Sequence, residues 1–96
     1  MGEFDILNSM KRWSTIFKIL GNINRLKIIK LLSEKREMCV VDIAKKLEIS
    51  QKSTSKHLIL LSRMDILEYK GQAGHVYYSM NGDMPTDLKN IINLFL

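Results

Sequence analysis

One cysteine in 96 residues leaves nothing for an intrachain disulfide and excludes a zinc ribbon built from CxxC pairs. A reducing cytoplasm is therefore the expected compartment. One proline and five glycines supply neither a low-complexity linker nor a Gly-rich phosphate loop. No apolar run reaches the ~20 residues of a membrane span, and the N-terminus lacks the basic-then-apolar layout of a signal peptide. No paired-carboxylate motif or cofactor box is present, and so short a chain rarely encloses both a core and a substrate pocket. Ser55 and His57 lie two apart on one helix, so their side chains diverge. An enzyme is not expected, nor is any cofactor or membrane partner.

What is present is a core-forming composition, 46% hydrophobic and 26% charged, consistent with a single folded domain over residues 1–96. The charge is uneven. Lys11 to Arg63 holds 13 basic and 4 acidic residues, net +9, while the remainder holds 2 and 6, net −4. Such asymmetry suits an anionic partner, nucleic acid foremost, although a solvated basic surface would look the same.

Hydrophobic spacing orders the elements. Ile6, Met10, Trp13, Phe17 and Leu20 step by 4, 3, 4, 3, a seam that favours packing on another helix, and Gly21 is a good terminator. Met1-Gly2-Glu3-Phe4 has the look of a cloning remnant, which would make residues 1–9 an added extension and Met10 the natural start. Asn22 caps a second helix to about Arg36, with Leu26, Ile29 and Leu32 as its stripe and Ile28 and Leu31 beside it. Val40, Ile43, Ala44 and Leu47 mark a short third helix. Ser50 caps a fourth, running to about Met64, with Leu58 and Leu61 inward. The period then changes to 2 over Leu67 to Lys70 and His75 to Met80, around a Gly-containing turn, which predicts a β-hairpin. Asp83 is placed to cap a last helix carrying Leu88, Ile91, Ile92 and Phe95. Helices three and four have helix-turn-helix spacing, and the hairpin after them makes a wing.

The run Ile49-Ser50-Gln51-Lys52-Ser53-Thr54-Ser55-Lys56-His57-Leu58, then Leu61, the hairpin and Val76-Tyr77-Tyr78, resembles the ArsR/SmtB-like winged helix-turn-helix regulators. Leu20-Gly21-Asn22 with Arg25-Leu26-Lys27-Ile28, and Glu37-Met38-Cys39-Val40-Val41-Asp42-Ile43-Ala44, resemble that family's starts of helices two and three. The resemblance implies a mainly α winged helix-turn-helix of about five helices plus a two-stranded wing. It also implies a homodimer that represses transcription from double-stranded DNA, with its first and last helices (residues 5–20 and 84–96) at the interface. Met10, Trp13, Phe17, Leu88, Ile91, Ile92 and Phe95 are the expected interface residues, unless both stripes simply close the monomer's own core.

The family usually has Pro where Ile23 stands, and a small residue plus Gly in place of Met64-Asp65. Metal-sensing relatives typically carry two cysteines flanking one residue. Here the run is Cys39-Val40-Val41, so one thiolate is missing. The last helix offers Asp87 but neither His nor Glu. No four-ligand zinc set can be assembled, and no metal site is expected. Cys39 itself reads as a buried inert thiol more readily than as a redox switch.

The first half of helix four is the expected recognition surface, because N-terminal residues of such a helix meet base edges in the major groove. Gln51 can read adenine. Ser53, Thr54 and Ser55 allow close approach, and Lys52 and Lys56 suit phosphate or guanine. His57 either touches phosphate or holds the helix pair, and Arg25 either meets phosphate or braces the fold. Gln72 and His75 stand at the wing, where Tyr77 faces outward and Tyr78 inward. Lys45 and Lys46 reach phosphate or only solvent. Two other functions fit the same residues: a non-specific, chromatin-type DNA coater, and a winged-helix protein-interaction module.

Overall fold

The computed structural model describes residues 2–96. Met1, the first residue of the run read as a cloning remnant, lies outside the described residues, as does the Phe4 side chain. The elements run α1 (Glu3–Leu20), α2 (Ile23–Glu34), β1 (Met38–Cys39), α3 (Val40–Leu47), α4 (Gln51–Arg63), β2 (Leu67–Gln72), β3 (His75–Met80) and α5 (Thr86–Asn93).

Local chemistry sets the boundaries. The chain leaves α1 through Gly21, whose N–H bonds the Phe17 carbonyl at 2.8 Å. A Cβ there would sit 3.0 Å from that same oxygen, so a larger residue would have to displace that carbonyl slightly. Asn22 caps α2 by accepting from the Asn24 and Arg25 amides. Helix α2 stops at Glu34, two residues short of the expected Arg36, because Lys35 is already extended. The hairpin turns through Ala73 and Gly74, both at positive φ (53° and 80°), the requirement of a two-residue turn matched to strand twist. Asp83 does not cap α5; Pro85 occupies that position and Asn81 accepts from the Asp83 amide.

The hairpin is one part of a larger sheet. Met38 and Cys39 form a short strand against β3, giving the order β1-β3-β2 with Met38 opposite Tyr78 and Leu67 opposite Met80. Two residues are too few for any period to register, so this strand is invisible to pattern reading.

The core gathers Ile28, Ile29, Leu32, Ile43, Leu58, Leu61, Ile66 and Leu88, each at most 2% exposed. Burial of each side chain stabilises by about 1.5–3 kcal/mol. Ile28 takes the deep position expected for Leu26, which is only half-buried. Helix α1 is held differently. Ile16 and Leu20 are its buried anchors, with Trp13 partly buried beside them, and its exposed N-terminal turns contribute to a long axis of 48 Å against 23 and 22 Å. Arg12 forks onto the Asp87 carboxylate at 3.0 and 3.1 Å, tying α1 to α5.

Candidate nucleic-acid interface

The helix-turn-helix is built by a three-residue turn. Glu48 ends α3 in the left-handed conformation (φ 58°), and the Ile49 amide bonds back to the Ala44 carbonyl. Ser50 then starts α4, its hydroxyl accepting from the Ser53 amide at 3.0 Å. The cap satisfies one of the orphan donors of the first turn.

Helical geometry sorts the run that follows. Gln51, Lys52 and Lys56 are exposed, and Ser53 and Ser55 are half-exposed. Lys52 and Lys56 lie one turn apart on the same outer face. No acid occupies the first turn. Thr54 corrects the expectation of a groove-facing residue: it is 0% exposed, and its hydroxyl donates to the Ser50 carbonyl at 2.8 Å. It points to the core with Leu58 and Leu61, three and four residues being close to one helical turn. Lys45, Lys46, Lys52 and Lys56 take part in none of the ion pairs among the described residues, so their charge is open to an anion.

His57 is half-buried and faces α2, where Arg25 Nη1 lies 3.2 Å from its Nδ1. The same guanidinium donates to the Ile19 carbonyl and reaches Lys18 O at 3.4 Å. Arg25 therefore braces the fold, with three of its five N–H donors directed at protein acceptors. Desolvation, then the Arg25 charge, lowers the His57 pKa below its ordinary 6.5.

At the wing, Gln72 and His75 are paired across the turn and exposed. Tyr78 is in the core at 8% exposure, as its alternation requires, but Tyr69 (64%) and Val76 (42%) are open to solvent. Only Leu67 of β2 is buried, because the wing projects beyond the body after its first residue.

The expected dimer residues divide into two groups. Leu88 and Ile92 are 0% and 1% exposed. They belong to the protomer's own core and leave no surface for a partner. Met10 (56%), Phe17 (57%) and Phe95 (41%) are exposed, and Trp13 and Ile91 are partly buried against the core. Trp13 stacks on Phe17 with ring centroids 5.6 Å apart. Ile6 and Leu7 extend the same exposed apolar surface, and Leu94 adds another on the α5 side.

Cys39 Sγ sits 3.2 Å from Asp42 Oδ2. Among the described residues no group of three or more His, Cys, Asp or Glu converges, and no helix is long and apolar enough to cross a membrane.

The pattern described as "Bacterial regulatory protein, arsR family" matches residues 22–69, from the α2 cap into the wing. The arsenical resistance operon repressor of Escherichia coli K12 is 38% identical over 78 residues, 81% of this chain and 67% of its own length. Several other curated relatives are spanned over only 55% of their length. Among solved structures, the transcriptional regulator HlyU from Vibrio vulnificus superposes with a TM-score of 0.73 at 27% identity, covering 99% of this chain and 95% of that one. A homodimeric winged helix-turn-helix DNA-binding domain from Mycobacterium bovis shares the fold at a TM-score of 0.77 and 24% identity, over 93% of this chain and 79% of its own.

Proposed function

The chain belongs to the arsR family of bacterial regulatory proteins, and from that membership we propose that it binds double-stranded DNA as a homodimer and represses transcription. The observation that carries this reading is the acid-free first half of α4, where Gln51, Lys52 and Lys56 are exposed beside Ser53 and Ser55. A helix presented this way enters a major groove with its N-terminal residues on base edges. In each protomer Gln51 and the serines read bases. Lys52, Lys56, Lys45 and Lys46 hold phosphates, and Gln72 and His75 follow the flanking duplex with the wing. Two-fold symmetry then sets half-sites about one helical turn apart.

The dimer is supported by the exposed Met10 and Phe17 of α1 and Phe95 of α5, flanked by the half-buried Trp13 and Ile91, apolar surface that a lone protomer leaves partly wet. The Mycobacterium bovis domain of the same fold is itself homodimeric.

The donors do not fit a family metal centre at α3. Cys39 meets Asp42 but joins no group of three or more donors among the described residues, and Val41 stands where a second thiolate would be needed. A closed zinc site needs four ligands.

Gln51→Ala and Lys56→Ala test the recognition surface. Each is expected to weaken binding to a specific duplex by about 1–3 kcal/mol, roughly 5- to 200-fold. Unchanged affinity in both would refute the assignment.

A further inference from the structure

The apolar face of α1 is accounted for by a second copy, and the outer face of α4 by DNA. A third feature belongs to neither. Between the C-terminal half of α4 and the wing lies a groove of about 450 Å³, lined by Ile59, Ser62, Arg63, Tyr69, Val76 and Tyr78. None of its residues comes from α1 or α5.

Its walls are apolar and wet. Ile59, Tyr69 and Val76 are 43%, 64% and 42% exposed, and the Tyr69 and Tyr78 rings tilt against each other with centroids 5.7 Å apart. Ser62 lines the groove, but its Oγ is itself buried and is not offered to a ligand. Arg63 is exposed and takes part in none of the described ion pairs. No acid is among the lining residues. Burial raises the Tyr78 pKa, so its hydroxyl stays a neutral donor at physiological pH.

We infer that this groove is a binding site for a small amphipathic carboxylate, one with an aromatic or short aliphatic body. The body lies against Ile59, Val76 and the tyrosine pair, and the carboxylate meets the Arg63 guanidinium. Charge complementarity selects the class. A cation finds no opposing charge, and a neutral apolar molecule leaves Arg63 unanswered. The volume falls in the ~300–1,000 Å³ range of small-molecule sites. An occupant touches both α4 and the wing, so any effect on DNA rests on the proposed function, whereas the binding does not.

The test therefore reads binding directly. Phenylacetate is titrated into the whole protein, without DNA, and amide shifts are followed by two-dimensional NMR. Saturable shifts at Ile59, Arg63, Val76 and Tyr78 are expected. Phenylacetamide, which has the same body without the charge, should bind at least tenfold more weakly. Arg63→Ala and Val76→Glu, both at exposed positions, should each weaken phenylacetate at least tenfold while leaving the spectrum folded. Absent or non-saturating shifts overturn the proposal, as does equal binding of the amide or an affinity indifferent to Arg63→Ala. A change of oligomeric state in Val76→Glu also overturns it, because the groove would then be a contact between protein chains.

Discussion

Arg25 Nη1 lies 3.2 Å from His57 Nδ1, joining the first turn of α2 to the middle of α4. Arginine has donors only, so His57 must accept at Nδ1 and carry its proton on Nε2. The α1 carbonyls of Lys18 and Ile19 hold the other side of the same guanidinium. One side chain thus links the helix proposed for dimerisation to the helix proposed for recognition.

Protonation of His57 would place a second cation against Arg25, which adds to the desolvation that lowers its pKa. The sign follows from linkage. The folded pKa lies below the unfolded 6.5, so the unfolded chain takes up the proton first. Stability from this group is complete above about pH 6.5 and declines as pH falls toward the folded pKa. An NMR titration should show His57 titrating below 6.5, and Arg25→Met should move it upward. Thermal melts in the wild type should fall between pH 7 and 5. A His57 titrating at or above 6.5 would contradict the geometry.

Asp65 holds φ at 60°, the left-handed region that glycine occupies without cost and other residues enter at about 1–2 kcal/mol. Asp65→Gly should raise stability by about 0.5–1 kcal/mol once the greater freedom of an unfolded glycine is set against the relief. A Tm higher by about 2–8 °C in a melt is the corresponding readout. A lower Tm would mean that the aspartate side chain contributes more than its backbone costs.

Thr54 and Lys52 are two residues apart and should behave oppositely. Thr54→Val keeps the shape but loses the bond to Ser50 O; it should cost about 1 kcal/mol of stability and leave DNA affinity unchanged. Lys52→Ala should leave stability within ~0.5 kcal/mol and reduce the slope of log K against log salt by about 1. Denaturant melts and anisotropy at several salt concentrations separate the two. A Thr54→Val protein that folds normally but has lost specific DNA binding would return Thr54 to the recognition surface.

Helix α1 makes a similar contrast. Phe17→Glu, on the exposed face, should convert a dimer to a folded monomer in sedimentation. Ile16→Ala, one position away at 1% exposure, should destabilise by about 2–5 kcal/mol. A Phe17→Glu protein that remains dimeric would place the interface elsewhere.

The helical stripes are legible in the sequence because burial repeats at the helical period, and the caps Asn22 and Ser50 are legible because their side chains serve orphan amides. Other features need coordinates. Thr54 belongs to the same polar run as Ser53 and Ser55, and composition cannot tell a core hydroxyl from a wet one. Its spacing, four residues before Leu58 and seven before Leu61, is the available signal. The stripe of α5 is visible, but which half faces its own core is not, since Leu88 and Phe95 are equally apolar. Ile16 lies outside the 4, 3, 4, 3 seam and emerges as an anchor only from the packing of α1 on the body. The Arg25–His57 contact spans 32 positions, and no local pattern encodes it.

The most direct measurement is fluorescence anisotropy with the duplex upstream of the gene that encodes this chain, beside a scrambled duplex of equal composition at near-physiological salt. The account predicts a preference of ~10³-fold or more for the upstream duplex. Equal, steeply salt-dependent binding to both duplexes, or binding to neither, would contradict sequence-specific regulation from that promoter.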